Sequence, residues 1–312
     1  MLSRFPRRGL AAVAAALLVG VAGCARSGSS ALESGALPVV AAFYPLQFVA
    51  ERVGGDAVRV TSLTTSGADP HDVELTARQI GQIVDAKLVV YLKGFQPAVD
   101  EAVAQEAGDR AFDVATVTPL SEATVGHHHH EGHHEHEGEK TSGKDPHVWL
   151  DPTRLATIGV ELAERLAAID ASQAADFRAR ATELESELTA LDQEYSTRLA
   201  HCERRELITS HAAFGYLATR YRLEQISIAG LTPEDEPSAQ RLAEVAEEAR
   251  RHGATTIFFE TAASPKVAET IARTVGATTA VLDPLETAPD SGDYFSVMRA
   301  NLATLTSALG CS

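Results

Sequence analysis

The sequence contains little cysteine, methionine or tryptophan and is short of positive charge. Its 312 residues include three cysteines, two methionines and one tryptophan, and 27 basic residues stand against 43 acidic ones, for a net charge of −16. This acidic excess makes nucleic acid a poor partner, because binding a polyanion requires positive charge. The chain also has no nucleotide-binding motif and no HExxH helix, since its one HExxH string, residues 130–134, lies in a low-complexity stretch without a helical pattern. These absences argue against an ATPase and against a zinc peptidase of the HExxH class.

The first residues have the features of an export signal. Three arginines precede an apolar run over residues 10–21, which is too short to span a bilayer as a mature helix. We therefore predict a signal peptide over residues 1–23. The run ends in Val-Ala-Gly-Cys, which resembles the bacterial lipobox, so Cys24 is expected to be acylated and to become the mature N-terminus. A plain secretory cleavage site is the alternative, and residues 24–37 are predicted to form a flexible tether.

The two remaining cysteines, Cys202 and Cys311, lie far apart in the sequence. Disulfides persist in exported proteins, and lipidation of the third cysteine would leave an even number. We therefore expect a disulfide between Cys202 and Cys311, with two buried thiols as the alternative.

Apolar, β-branched runs alternate with helical patterns along the rest of the chain. This alternation predicts an α/β protein of two similar lobes with largely parallel sheets, although no convincing sequence repeat is visible. The first lobe is expected over residues 38–171 and the second over residues 202–312. A long helical pattern over residues 172–201, which at about 1.5 Å per residue extends further than one small domain needs, is expected to join them rigidly.

In the first lobe, strands are expected over residues 38–44, 58–63, 88–92 and 111–117, with helices over residues 75–86 and 97–107. Residues 124–146 interrupt this pattern with a low-complexity surface loop that has almost no apolar residues to pack.

Three histidines follow candidate strands in similar local settings. His71, His147 and His211 lie at strand ends or on the connections after them, where ligands bind in α/β folds. The segment VLDPLE, over residues 281–286, offers a carboxylate at a fourth such end. Three imidazoles and one carboxylate form a set that suits Zn²⁺, and the site is expected in the cleft between the lobes. His201 and His252 lack this setting and are interpreted as structural.

The loop contains a second group of candidate zinc ligands. Its histidines are interleaved with glutamates and can bind Zn²⁺ in several weak, interchangeable arrangements. We predict an auxiliary capture or sensing role for this group, which consists of His127, His128, His129, His130, His133, His134 and His136.

Five segments together resemble one known family. Read in order, SGADPHDVELT, DPHVWLDP, ELITSHAAFGYLATRYRL, ISIAGLTPEDEPSAQRLAEV and VLDP are similar to the motifs of the metal-binding class of ABC-transporter solute-binding proteins. The resemblance covers residues 38–312 and implies four metal ligands: His71, His147, His211 and Asp283. Manganese members usually have a carboxylate at the third position, so His211 favours Zn²⁺.

The same resemblance implies how the protein works. We expect a monomeric receptor, anchored at the outer face of the cytoplasmic membrane or on the periplasmic side, that delivers Zn²⁺ to the permease of an ABC importer whose ATPase is a separate subunit. Glu74 and Glu260 are candidates for orienting the imidazoles, and Trp149 is expected to pack beneath His147. A manganese or iron receptor and a zinc-storing adhesin are the alternatives. A metallohydrolase is disfavoured, because four protein ligands would close the metal site to water.

Overall fold

The computed structural model describes residues 35–65, 67–123, 143–261 and 264–312. The predicted signal peptide, Cys24 and the seven loop histidines lie outside the described residues. Among the described residues, none of the helices combines the length and apolar character needed to cross a bilayer.

The first lobe is built on a parallel sheet of four strands in the order β2-β1-β3-β4. Its strands are β1 (Leu37–Ala41), β2 (Val58–Ser62), β3 (Leu88–Tyr91) and β4 (Ala111–Asp113). Three helices connect them: α1 (Tyr44–Gly54), α2 (Ala77–Asp85) and α3 (Pro97–Glu106). The two central strands, β1 and β3, are apolar, rich in valine and mostly buried, which is the composition expected for a parallel sheet covered by helices.

Two long antiparallel helices follow, α4 (Pro152–Ile169) and α5 (Ala174–Arg198). Apolar residues of α5 at helical spacing, including Leu184 and Leu188, are fully buried. On one side, Arg52 of α1 forms a bidentate pair with Glu187 of α5. Further along, Asp192 of α5 receives two hydrogen bonds from Arg220 of the second lobe. Helix α5 therefore contacts both lobes.

The second lobe repeats the design of the first, with a parallel sheet in the order β6-β5-β7-β8. Its strands are β5 (Glu206–Thr209), β6 (Glu224–Ser227), β7 (Thr256–Phe259) and β8 (Thr278–Val281). Its helices are α6 (Gly215–Tyr221), α7 (Ala239–Arg251), α8 (Lys266–Val275) and α9 (Tyr294–Leu309). The predicted architecture of two parallel α/β lobes with a long helix is confirmed.

One apolar core extends through both lobes. It includes strands β1 and β3, the inner faces of α4 and α5, and residues of α9 such as Leu302 and Leu305. A smaller core lies on the other face of the second sheet, between α7 and α8. Because the interface between the lobes is part of the main core, a wide hinge motion would expose apolar surface to water.

The structure corrects two expected strands. The first ends at Ala41, and residues from Tyr44 form α1, in which Pro45 occupies the first turn. The strand expected over residues 111–117 ends at Asp113, whose carboxylate accepts a hydrogen bond from Ala115 N and starts a short 3₁₀ turn. In both places an apolar run continues past the strand, which is why the sequence pattern overstates the strand length.

The second lobe is closed by a disulfide between Cys202 and Cys311. These cysteines lie just before β5 and just after α9, so the bond joins the two ends of the lobe.

Candidate metal centre

Three imidazoles and one carboxylate converge between the lobes. Oε1 of Glu286 lies 3.2 Å from His71 Nε2, 3.1 Å from His147 Nε2 and 3.3 Å from His211 Nε2. These four ligand atoms all lie within 4.8 Å of one another. His147 and His211 are completely buried, and Glu286 and the His71 side chain are nearly so.

The two sheets bring these residues together because the carboxyl ends of their strands face the same cleft. His71 lies on the connection after β2, and His147 lies on the connection that leads into α4. His211 comes two residues after β5, and Glu286 follows β8. Two groups therefore come from each lobe, at the strand ends where α/β folds bind ligands.

Two further carboxylates fix the orientation of the buried imidazoles. Oδ1 of Asp145 lies 2.8 Å from Nδ1 of His147, and Oε1 of Glu260 lies 2.5 Å from Nδ1 of His211. Each carboxylate accepts a hydrogen bond from Nδ1–H and so directs Nε2 of the imidazole toward the centre. Glu260 is buried and also accepts a hydrogen bond from Ser210 Oγ. It therefore occupies the place expected of an orienting residue.

The histidines and carboxylates at the centre shift one another's pKa values. Burial alone lowers the pKa of His211, but Glu260 and then Glu286 outweigh burial and raise this pKa to about 10. The pKa of His147 is also raised, because hydrogen bonds to Asp145 and Glu286 outweigh burial. Burial alone raises the pKa of Glu286, but its close contacts with His147, His211 and His71 outweigh burial and hold this pKa well below its usual range. The carboxylates thus favour positive charge in the cavity.

A divalent cation fits this environment. Glu286, Glu260 and Asp145 are all buried. Neutral imidazoles cannot balance the negative charge of three buried carboxylates, so a cation at the centre is stabilised there. Nε2 of His211 has no hydrogen-bond partner among the described residues. The distances from Oε1 to the three Nε2 atoms also match the edge of a zinc tetrahedron, about 3.3 Å for bonds of about 2.0–2.1 Å.

The structure brings Glu286, rather than the expected Asp283, to the three histidines. Oδ1 of Asp283 accepts a hydrogen bond from the backbone N–H of Leu285 at 2.7 Å, and its Oδ2 lies 3.4 Å from the Thr261 hydroxyl. Leu285 has a φ of 58°, a left-handed conformation unusual for leucine. The Asp283 carboxylate therefore stabilises a turn, and that turn presents Glu286 to the cleft.

Sequence reasoning missed Glu286 because both carboxylates lie in the same VLDPLE segment. The family resemblance pointed to Asp283, and strand-end position alone does not distinguish residues three apart. The separating feature is the turn at Leu285, which has no glycine to mark it.

The other candidates lie elsewhere. Glu74 is exposed, and no hydrogen bond links it to any of the three imidazoles in the part of the chain described. His252 pairs with Glu206, with 3.1 Å between Nδ1 and Oε1, consistent with a structural role. Trp149 is buried with its ring centroid 5.2 Å from that of His147, so it packs against this imidazole.

Comparison with known proteins agrees with this architecture. Residues 39–308 match the ZnuA family, which is described as the periplasmic component A of a zinc-uptake complex. The chain belongs to this family. Its sequence is 36% identical over 289 residues to the zinc-binding protein AdcA of Streptococcus pyogenes, covering 88% of this chain and 56% of that protein. The chain thus spans little more than half the length of the streptococcal relatives.

Another relative matches over nearly its whole length. The high-affinity zinc uptake system protein ZnuA of Bacillus subtilis is 36% identical over 314 residues, covering 96% of this chain and 97% of that protein. Among solved structures, the laminin-binding protein Lmb of Streptococcus agalactiae has a TM-score of 0.75 at 29% identity, covering 87% of this chain and 98% of that chain. Lmb is described as bifunctional, with adhesin and metal-transporting activity.

Proposed function

We propose that this protein captures Zn²⁺ outside the cytoplasmic membrane and delivers it to an ABC importer. The observation that carries this proposal is the convergence of three imidazole nitrogens and one carboxylate oxygen in a buried cleft. The family description and the names of the relatives AdcA and ZnuA support zinc uptake as the role of the site.

The ligands in this proposal are His71, His147, His211 and Glu286. A site with three nitrogen donors and one oxygen donor favours Zn²⁺ over Mn²⁺, which prefers oxygen ligands. Four protein ligands leave no open position for a reactive water, so the arrangement suits binding rather than catalysis. Asp145 and Glu260 would keep the imidazoles in the tautomer that binds metal.

The proposed site of action is the outer face of the membrane, with Cys24 as the lipid anchor. The periplasmic description of the family and the name of a pneumococcal relative, zinc-binding lipoprotein AdcA, support this location. The permease of the importer would receive the ion. The histidines between residues 127 and 136 would supply weak auxiliary zinc sites that increase the local zinc concentration.

Metal binding is tested by chelator competition with Zn²⁺ and Mn²⁺ in parallel. The protein is residues 25–312 without residues 127–136, because weak loop sites would obscure the stoichiometry. We expect one tight zinc site, much weaker binding of Mn²⁺, and loss of the tight site in His211→Ala. His252→Ala is the matched control, since it removes an imidazole paired with Glu206 on the surface of the second lobe. A preference for Mn²⁺, or equal effects of the two variants, would contradict the proposal.

Delivery to an importer is tested in cells. A strain lacking this protein should grow poorly when zinc is scarce and recover with excess zinc, and the His211→Ala protein should not restore growth. An adhesin or zinc store without a transport role predicts normal growth of the deletion strain under the same limitation.

A further inference from the structure

Among the hydrogen bonds that cross between the lobes beside the metal centre, a pair runs in opposite directions. Tyr216 of α6, in the second lobe, donates from its hydroxyl to the carbonyl of Asp145 in the first lobe at 3.0 Å. Trp149 of the first lobe donates from Nε1 to the carbonyl of Pro284 in the second lobe at 2.7 Å. Each acceptor lies two residues before a proposed metal ligand. Each lobe therefore donates a hydrogen bond to the segment of the other lobe that carries a metal ligand.

The first bond acts on His147 through Asp145. Oδ1 of Asp145 accepts hydrogen bonds from His147 at both N (2.9 Å) and Nδ1 (2.8 Å). The buried hydroxyl of Tyr216 also accepts a hydrogen bond from Ser121 N at 2.8 Å, so its position is fixed on two sides. Removing this hydroxyl would free the Asp145 backbone and, with it, the carboxylate that orients the imidazole.

Close packing reinforces the same contact. A Cβ atom at Gly215, the residue before Tyr216, would lie 2.6 Å from Oδ2 of Asp145. The start of α6 therefore rests directly on the orienting carboxylate, and the absence of a side chain at Gly215 makes this approach possible.

The second bond acts on Glu286 through the turn that precedes it. Trp149 is 1% exposed, and its own carbonyl accepts a hydrogen bond from the hydroxyl of Tyr294 at 2.7 Å. Its indole N–H is bonded to Pro284, immediately before the left-handed Leu285. The first lobe thus anchors the turn that presents Glu286.

We propose that Tyr216 and Trp149 are positioning residues that brace the metal site across the cleft, each fixing a ligand segment of the opposite lobe. This proposal rests on the proposed function of the site. Partners of metal ligands contribute to affinity by fixing ligand orientation before the metal arrives. Loss of either brace would let one ligand move away from the ion, so the bound metal would be released faster.

The first test compares Tyr216→Phe with Tyr195→Phe. Tyr195 is a matched control because it is also buried, and its hydroxyl donates to a backbone carbonyl, that of Met298, at 2.6 Å in the contact between α5 and α9. We expect Tyr216→Phe to weaken Zn²⁺ binding about 10-fold, the low end for partners of metal ligands, mostly through faster release to a chelator. Tyr195→Phe should bind and release Zn²⁺ like the unsubstituted protein.

A spectroscopic measurement separates positioning from general destabilisation. Co²⁺ in a tetrahedral site absorbs strongly in the visible range, and the band positions report the ligand geometry. Tyr216→Phe and Trp149→Phe should each change these bands, whereas Tyr195→Phe should leave them unchanged. Circular dichroism would verify that each variant is folded.

The outcomes distinguish the two proposals. If the unsubstituted protein has one tight zinc site but Tyr216→Phe and Trp149→Phe match Tyr195→Phe in release rate and Co²⁺ spectrum, the bracing proposal is overturned while the zinc receptor stands. If the unsubstituted protein has no tight site, the proposed function fails, and the bracing proposal fails with it.

Discussion

Residues three apart have different roles in the turn after β8. Asp283 accepts a hydrogen bond from the N–H of Leu285, and Asn301 holds the Asp283 backbone at both N and O. Glu286 is the residue whose carboxylate contacts the imidazoles. One residue thus shapes the turn and the other faces the cavity.

This division predicts different effects of two amide substitutions. Glu286→Gln replaces a charged metal ligand with a neutral one and should weaken Zn²⁺ binding strongly. The loss of a charge-assisted contact of about 3 kcal/mol corresponds to about 100-fold in affinity. Asp283→Asn keeps an oxygen that can accept from Leu285 N and should have a much smaller effect. Chelator competition measures both, and a larger loss in Asp283→Asn would show that Asp283, as first expected, binds the metal.

Sequence reasoning succeeded for residues whose local setting is distinctive. His71, His147 and His211 each stand in a motif at a strand end, and the structure brings all three together. The fourth group depends on a left-handed turn at a leucine, and no sequence rule predicts left-handed conformation at that residue type.

At the scale of elements, the sequence pattern located the four strands of the first lobe and the helices α2 and α3 but missed α1. Its apolar residues follow directly on the strand run, so the change from period two to period 3.6 has no polar break to mark it. Pro45 at its start and the glycines Gly54 and Gly55 at its end are typical helix boundaries that could have revealed it. Continuous burial, rather than an unusual conformation, obscured this helix.

Helix α9 offers a test of local stabilisation. The Asp293 carboxylate accepts a hydrogen bond from Ser296 N, and the Ser296 hydroxyl accepts one from Asp293 N, forming a capping box. Asp293→Ala should lower the free energy of unfolding by about 1 kcal/mol. Denaturant unfolding measures this change, and Asp290→Ala, at an exposed position before the helix, is the control. Equal stability of the two variants would argue against the cap.

At the scale of the whole molecule, the metal and protons compete for the same cavity. Without metal, the pKa of His211 is raised from its ordinary 6.5 to about 10, so the imidazole is protonated at neutral pH. Zinc requires the neutral imidazole, so binding must release this proton. Calorimetry at pH 7.5 in two buffers of different ionisation enthalpy should detect the release of at least one proton per zinc. Binding without proton release would contradict the charge balance described for the centre.

The raised pKa of His211 also determines how the stability of the metal-free protein depends on pH. A pKa raised on folding contributes stability that is fully present below the unfolded value of about 6.5 and is lost as the pH rises toward 10. The unfolding free energy of the metal-free protein should therefore fall between pH 6.5 and 10, and His211→Ala should reduce this fall. An identical pH profile in the variant would assign the change to other groups.

Zinc binding adds to the stability of the folded protein. Saturating zinc should raise the free energy of unfolding by about 2.7 kcal/mol at 100 times its Kd.

The disulfide makes the second lobe a covalently closed ring of chain. Cys202 and Cys311 are joined, and every residue from 203 to 310 lies within that ring. A single protease cut inside the ring opens it but leaves both fragments attached, so the cleaved protein keeps its full mass on a gel until a reductant is added. A cut in the first lobe has no such link and separates its fragments at once on denaturation. Proteolytic damage to the two lobes would therefore give different results in any assay that leaves the disulfide intact.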